Sequence, residues 1–279
     1  MSLGKNETKP TVPKRWVWLA GGLVAFFVAW ELAALYMKST NPRGEAIFPS
    51  WTVILTDSVR QFEVFLPFGV TGSGYSAAAQ VLFDHSLVTA QRVLIGTTSG
   101  IVAGVAVGLL MAYSTTIRDL SSATIQILRT IPLLALIPLF VLWFGGRNVG
   151  MYLFIAFAVF VMIVISTYHA ALNVPGAPAR FARTMGASRA QMFRAVVVPG
   201  LLPELFASIR VVVALSWSFA LGAEFTGAQE GLGFLMIQSE RSGFLGRVIV
   251  VTALFTLYAV VVDQLLVQLR RRLLRWGPA

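Results

Sequence analysis

The sequence predicts an all-α membrane protein with six transmembrane helices, and three observations lead there. Charged residues are 12% of the chain and hydrophobic ones 57%, about half the charge carried by a soluble domain. Apolar runs long enough to cross a bilayer recur from Trp16 onward. The segments between them hold Pro, Gly and Arg, with no alternation of the kind strands show.

Residues 1–15 hold Lys5, Lys9, Lys14 and Arg15 without periodicity and read as a cytoplasmic tail. Trp16–Met37 is a run of 22 residues, about 33 Å as a helix, enough to span the hydrocarbon. It exceeds a signal-peptide core and contains Glu31, so an uncleaved first span is expected. The mixed stretch 38–86 reads as an external loop with a surface-lying helix near Trp51 to Phe65; its part from 65 to 80 follows no single helical period. Leu87–Tyr113 is the second span. It carries Gly96, Gly100, Gly104 and Gly108 on one stripe, where a neighbouring helix backbone can approach closely.

A short turn with Arg118 leads into the third span, Ser121–Phe144, which Pro132 and Pro138 should kink. A tight external turn, Gly145–Gly150, precedes the fourth span, Met151–Ala171. The fifth is placed at Pro203–Phe225, with Pro203 in its first turn. An external segment, 226–243, precedes the sixth span, Leu245–Val267, and Arg270, Arg271, Arg272 and Arg275 follow. On this reading thirteen Lys and Arg lie inside against six outside, counting Arg247 at the outer end of the sixth span, so both ends face the cytoplasm. Cysteine is absent and the net charge is +10; topology and lipid headgroups account for that charge, since no aromatic-rich basic groove for nucleic acid is present.

Ionisable residues within spans are costly facing lipid, at about 3 kcal/mol each or more. They are Glu31, Arg92, Arg129, His169, Arg210, Glu224 and Asp263. Glu31 and Arg92 lie at similar depth below the outer ends of their spans and are expected to pair. Arg129 and Arg210 lie toward the inner side, where Asp263 is the nearest acid. No Gly-x4-Gly-Lys-Ser/Thr loop and no hydrolase or metalloprotease motif occurs, so neither ATP binding by that route nor a membrane enzyme is indicated, and no metal site is expected. A carrier driven by an ion gradient stays open as an alternative, weakened because Glu224 and Asp263 lie near span ends.

The stretch that organises the chain is Pro178–Pro203, PARFARTMGASRAQMFRAVVVPGLLP. Phe181 and Met185, then Arg189 and Phe193, fall four residues apart, which suits two short helices. Gly186 suits a bend between them and Ser188 can cap the second. Arg183-Thr184-Met185-Gly186-Ala187-Ser188, then Pro199, Pro203 and Ile209-Arg210, resembles the cytoplasmic signature loop of permease subunits in binding-protein-dependent ABC importers, in the nitrate, sulfonate and taurine branch. Arg180, Phe181 and Ala182 stand where that family has Glu-Ala-Ala. Phe48-Pro49-Ser50, Arg210, Glu224, Gly227, Gly231, Leu232 and Gly233 are also similar to the branch's pattern.

The resemblance covers Trp16 to Trp276 and implies the type I importer fold, with residues 172–202 a coupling loop that docks on an ATPase. It further implies a dimer of permeases, two ATPase subunits that bind ATP and Mg, and an extracytoplasmic binding protein delivering a small anion. The location implied is a prokaryotic inner membrane. It places Arg210 and Glu224 at an interface or gate.

Overall fold

The computed structural model describes residues 12–67, 72–145 and 148–274, with side chains from residue 17 onward. Residues 1–11 of the expected tail 1–15, Arg147 of the external turn and Arg275 lie outside the described residues, and residues 12–15 already belong to the first helix, which begins before the expected Trp16. The described residues contain helices and no strand. Five helices are long and apolar enough to cross a membrane, six counting one bent pair as a single span. The chain divides into two compact units, Met1–Ala78 with Ser239–Val250, and Ala79–Gln238 with Val251–Ala279.

In the first unit, α1 (Val12–Thr40) is followed by α2 (Gly44–Ile47) and α3 (Trp51–Val53), then a π-turn at Ile54–Ser58 and a 3-10 turn at Gln61–Phe65. Ser50 caps α3 by accepting the Val53 N–H. An aromatic clamp ties α1 to this segment. The indole of Trp30 donates to the Pro49 carbonyl at 3.0 Å and stacks on Phe48, while that of Trp51 donates to Phe27 O at 3.1 Å. Glu31 accepts the backbone N–H of Trp51 at 3.0 Å. Its carboxylate therefore serves the start of α3, a use the sequence did not suggest.

The second unit is built around α7 (Asn148–Leu172), whose residues Phe154, Ile155, Val159, Ile163 and Val164 are almost wholly buried. Against it lies α4 (Gly74–Tyr113), which starts well before the expected Leu87. Apolarity marks where lipid begins, not where a helix does, and Ala77-Ala78-Ala79-Gln80 favours helix on the polar side of that border. The glycine stripe faces α7. A Cβ on Gly96 would fall 2.7 Å from Ile155, on Gly100 2.6 Å from the Ala156 carbonyl, on Gly104 2.8 Å from Ile163 and on Gly108 2.6 Å from Thr167. Gly100→Ala should therefore cost about 1–3 kcal/mol and lower the melting temperature of the detergent-solubilised protein. Gly21→Ala, with nothing within 4 Å of the new methyl, should leave it unchanged or slightly raised.

Ser114 caps α5 (Thr115–Thr130), which begins directly after α4 inside the expected turn. The third span is not one kinked helix. α5 and the Leu133–Phe144 stretch meet at 89°, because Pro132 forces Ile131 into extended geometry (φ −71°, ψ 129°) and ends α5. A 3-10 turn at Leu133–Leu136 follows, and Pro138 sits in the first turn of α6 (Ile137–Phe144), where its missing N–H costs nothing.

After α7 come α8 (Gly176–Thr184), α9 (Arg189–Met192), a π-turn at Phe193–Val197, and α10 (Val198–Phe225). The fifth span thus begins before the expected Pro203. Pro199, not Pro203, occupies the first turn of α10, and Pro203 lies inside it. The Val198 N–H reaches back to Phe193 O, a five-residue spacing that absorbs the donor missing at Pro199. Two more helices, α11 (Leu232–Arg241) and α12 (Leu245–Leu273), follow among the described residues, so the expected external segment 226–243 contains a helix.

Helix directions in this unit follow from the contacts. Residue numbers rise together between α4 and α7, Gly96 meeting Ile155 and Gly108 meeting Thr167. Those of α7 and α10 run oppositely, Phe154 touching Phe219 while Ala170 packs with Leu201 and Leu205. α12 runs against α10, as Trp217 stacks on Tyr258 and Arg210 meets Asp263. α4, α7 and α12 therefore end on one side, the side that carries Arg183, Arg189, Arg194 and Arg270–Arg272. By the positive-inside rule that side is cytoplasmic.

Candidate functional site

Two back-to-back caps build a rigid elbow on the cytoplasmic side. α8 ends in a double closure: the Ala187 N–H bonds Ala182 O and the Gly186 N–H bonds Arg183 O, both at 3.0 Å. This closure needs a left-handed residue, and Gly186 has φ +77°. Immediately after, Ser188 accepts the Gln191 N–H while the Gln191 side chain accepts the Ser188 N–H at 2.8 Å. The two helices thus meet at a turn with its backbone groups engaged on both sides. Gly186 is the expected bend and Ser188 the expected cap, and Gln191, three residues on, adds a reciprocal bond that the expectation lacked.

The elbow is fastened to the inner end of α4. Arg189 donates to the Tyr113 carbonyl and lies over the Tyr113 ring at 5.3 Å, and Phe193 meets that ring edge-on at 5.1 Å. A cavity of about 230 Å³ lies here, lined by Tyr113, Leu172, Arg183, Arg189, Met192 and Phe193. Thr184 bonds back to Phe181 O at 2.7 Å. Phe181 and Met185 are 68% and 73% exposed. Two large apolar side chains thus project beside arginines from a turn held on its inner face.

A buried charge cluster marks the opposite end. Arg92 of α4 donates to Glu224 of α10 at 2.8 Å, and the two side chains are 4% and 0% exposed. The same nitrogen donates to Glu230 O at 2.7 Å, and the rest of the guanidinium bonds Asn148 at 2.6 and 3.0 Å. Glu224 also accepts from Thr89 at 2.9 Å and from the Gly233 N–H at 2.6 Å. Thr89 in turn accepts the Leu232 N–H at 2.8 Å, and His85 accepts the Gly231 N–H at 2.9 Å. Gly231 has φ +108°, and a Cβ there would lie 2.6 Å from both Arg92 and Glu224, so the backbone comes this close only as glycine. The expected Glu31–Arg92 pair is therefore corrected. Equal depth in two helices permits a pair, but Glu224 presents a fully buried carboxylate directly to Arg92, while Glu31 accepts the Trp51 N–H. Thr89 and Asn148 carried no sequence signal as partners.

At the inner side Arg210 grips Asp263 through both carboxylate oxygens, with Nη2 to Oδ2 at 2.6 Å. This is the acid that depth had placed nearest. Arg129 sits exposed in the last turn of α5, and among the described residues it forms no ion pair. His169 lies in the last turn of α7, its ring 5.7 Å from that of Tyr168.

A family model described as binding-protein-dependent transport system inner membrane component matches residues 100–275, from the middle of α4 through the elbow and α12. The chain belongs to this family. This permease component is 33% identical to the taurine transport system permease protein of Escherichia coli strain K12, over 70% of its own length and 71% of the relative's. It is 32% identical to an aliphatic sulfonates transport permease protein of the same strain, over 76% and 81%. With the nitrate import permease protein of Leptolyngbya laminosa it shares 27% over 81% and 77%. In fold it matches a chain of the inward-facing MetNI methionine ABC transporter at TM-score 0.56 and 22% identity, over 71% of this chain and 96% of that one. A chain of an amino acid ABC transporter crystallised with histidines gives TM-score 0.58 at 20% identity, over 73% and 100%. The permease therefore has the all-α, type I importer architecture that the signature loop implied, in an inner-membrane, multi-pass protein.

Proposed function

We propose that two copies of this permease form the path by which a small anion of the sulfonate, taurine or nitrate class crosses the inner membrane, and that the elbow at Gly186 couples it to separate ATPase subunits. An extracytoplasmic binding protein would present the solute. ATP and Mg would be held by the ATPases, since this sequence has no phosphate-binding loop.

The observation that carries the coupling role is the elbow itself. Its backbone bonds are closed by two caps, it is fastened to α4 through Arg189 and Tyr113, and its outer face offers exposed Phe181 and Met185 beside Arg183. Exposed apolar anchors on a rigid turn are what a partner's pocket grips, and a rigid turn passes a pull to the helices behind it. Names of relatives and the basic balance support the anionic solute class.

The test is purification of the tagged permease from its native membrane. An ATPase subunit should accompany it, and hydrolysis should rise when loaded binding protein is added. Uptake by vesicles that hold the permease alone, driven by a proton or sodium gradient, would instead establish the ion-coupled carrier.

A further inference from the structure

Because α4 and α7 pack with residue numbers rising together, both run from outside to inside. The chain joining Ser114 to Asn148 must cross back. It does so with two half-helices, Thr115–Thr130 and Leu133–Phe144, set at 89°. At 1.5 Å per residue they reach about 24 and 18 Å, each short of the roughly 30 Å hydrocarbon layer. The break at Ile131–Pro132 falls between Ile125, packed against Val164, and Phe140, packed against Phe154 and Phe157, so it sits beside the middle of α7 and within the layer.

Irregular backbone at that depth persists only where protein buries it or where it lines a wet cavity. This chain does not bury it: Arg129, Thr130, Pro132, Leu134 and Ala135 are all exposed. Of Arg92, Arg129 and Arg210, the arginines expected within spans, Arg129 is the one without a carboxylate among the described residues: Asp263 has both oxygens on Arg210, and Glu224 is enclosed by Arg92, Thr89 and Gly233. A role in offsetting the carbonyl end of α5 is worth about 0.3–1 kcal/mol, less than the roughly 3 kcal/mol that an arginine costs facing lipid. Something further must compensate it.

We infer that the break between Arg129 and Leu134 is an anion-contact station in the transport path, with the Arg129 guanidinium as its fixed cation. Its ligand class is a small oxyanion such as a sulfonate, carboxylate or nitrate, whose oxygens match the guanidinium's paired N–H groups. The inference rests on the importer reading, yet its test is independent of it.

The chain has no cysteine, so Thr130→Cys introduces a unique thiol next to Arg129. In membrane vesicles holding the full-length protein, this thiol is exposed in turn to sulfonatoethyl methanethiosulfonate, an anion, and to its trimethylammonium counterpart. Rates are normalised to those with a free small thiol. The anionic reagent should react faster by about fivefold or more, as a cation concentrates counter-ions in a low-dielectric cleft. Adding Arg129→Gln should remove the preference, and Arg129→Lys should keep most of it. Gel filtration confirms that each variant remains folded. A Thr130→Cys thiol closed to both soluble reagents, covered by lipid or by a second copy, would overturn the assignment, as would a rate ratio that Arg129→Gln leaves unchanged. Failure of the importer reading would show separately, as a permease that purifies without an ATPase.

Discussion

Glu224→Leu should remove most folded permease from detergent extracts, with the monodisperse gel-filtration peak reduced to a small fraction of wild type. The carboxylate it deletes is wholly buried and accepts from Arg92, Thr89 and the Gly233 N–H, so the change strands the buried Arg92 charge without a counter-ion and leaves the Gly233 N–H unpaired. Breaking a buried pair from one side costs about 3–5 kcal/mol, against a total stability of roughly 5–15 kcal/mol. Arg92→Met should be damaging for the mirror reason. The double variant Arg92→Met with Glu224→Leu should recover a large part of the loss, because no charge is then stranded, although the Gly233 N–H remains unpaired. The swapped pair should not recover, since a glutamate at 92 cannot donate to the Glu230 carbonyl or to Asn148 as the arginine does. Single variants with wild-type melting curves would show that the cluster contributes little to the fold.

Gly186→Val should leave insertion and melting temperature near wild type while abolishing both uptake and stimulated ATP hydrolysis. Space is not the obstacle, as nothing lies within 4 Å of a Cβ placed there. The obstacle is backbone conformation: φ is +77°, which costs an L-residue about 1–2 kcal/mol and a β-branched one more. The chain can relieve that strain locally by giving up the double closure of α8, so the fold survives and the relative setting of Phe181, Met185 and Arg189 does not. Gly186→Asn should retain most transport, because asparagine tolerates the left-handed region. Full uptake by the valine variant would sever the elbow from the coupling step.

Much of this architecture was legible because membrane insertion writes itself locally. Each span needs a continuous apolar run, and the elbow needs a glycine with a cap behind it, so Gly186 and Ser188 could be placed from residue order alone. The glycine stripe from Gly96 to Gly108 likewise announces close packing. Helix ends were less legible. Gly74–Tyr113 and Arg189–Phe225 both extend past their apolar parts, since backbone hydrogen bonding continues in water as long as side chains permit.

The third span shows the same limit from the other direction. Two prolines six residues apart announce a disturbance, but a kink and a right-angle break differ only in what neighbours accept. Gly222 of α10, whose missing side chain makes room for Leu134 and Ile137, is part of that decision.

Composition, run length and charge asymmetry by themselves determined that this chain crosses the membrane repeatedly with its basic elbow inside, because each of those costs is set residue by residue against lipid. The pairing of charges was decided only by the tertiary structure. A carboxylate chooses its partner by which donors surround it once water is gone, and Arg92 is matched to Glu224, and Glu31 to the Trp51 N–H, by contacts between segments up to 132 residues apart.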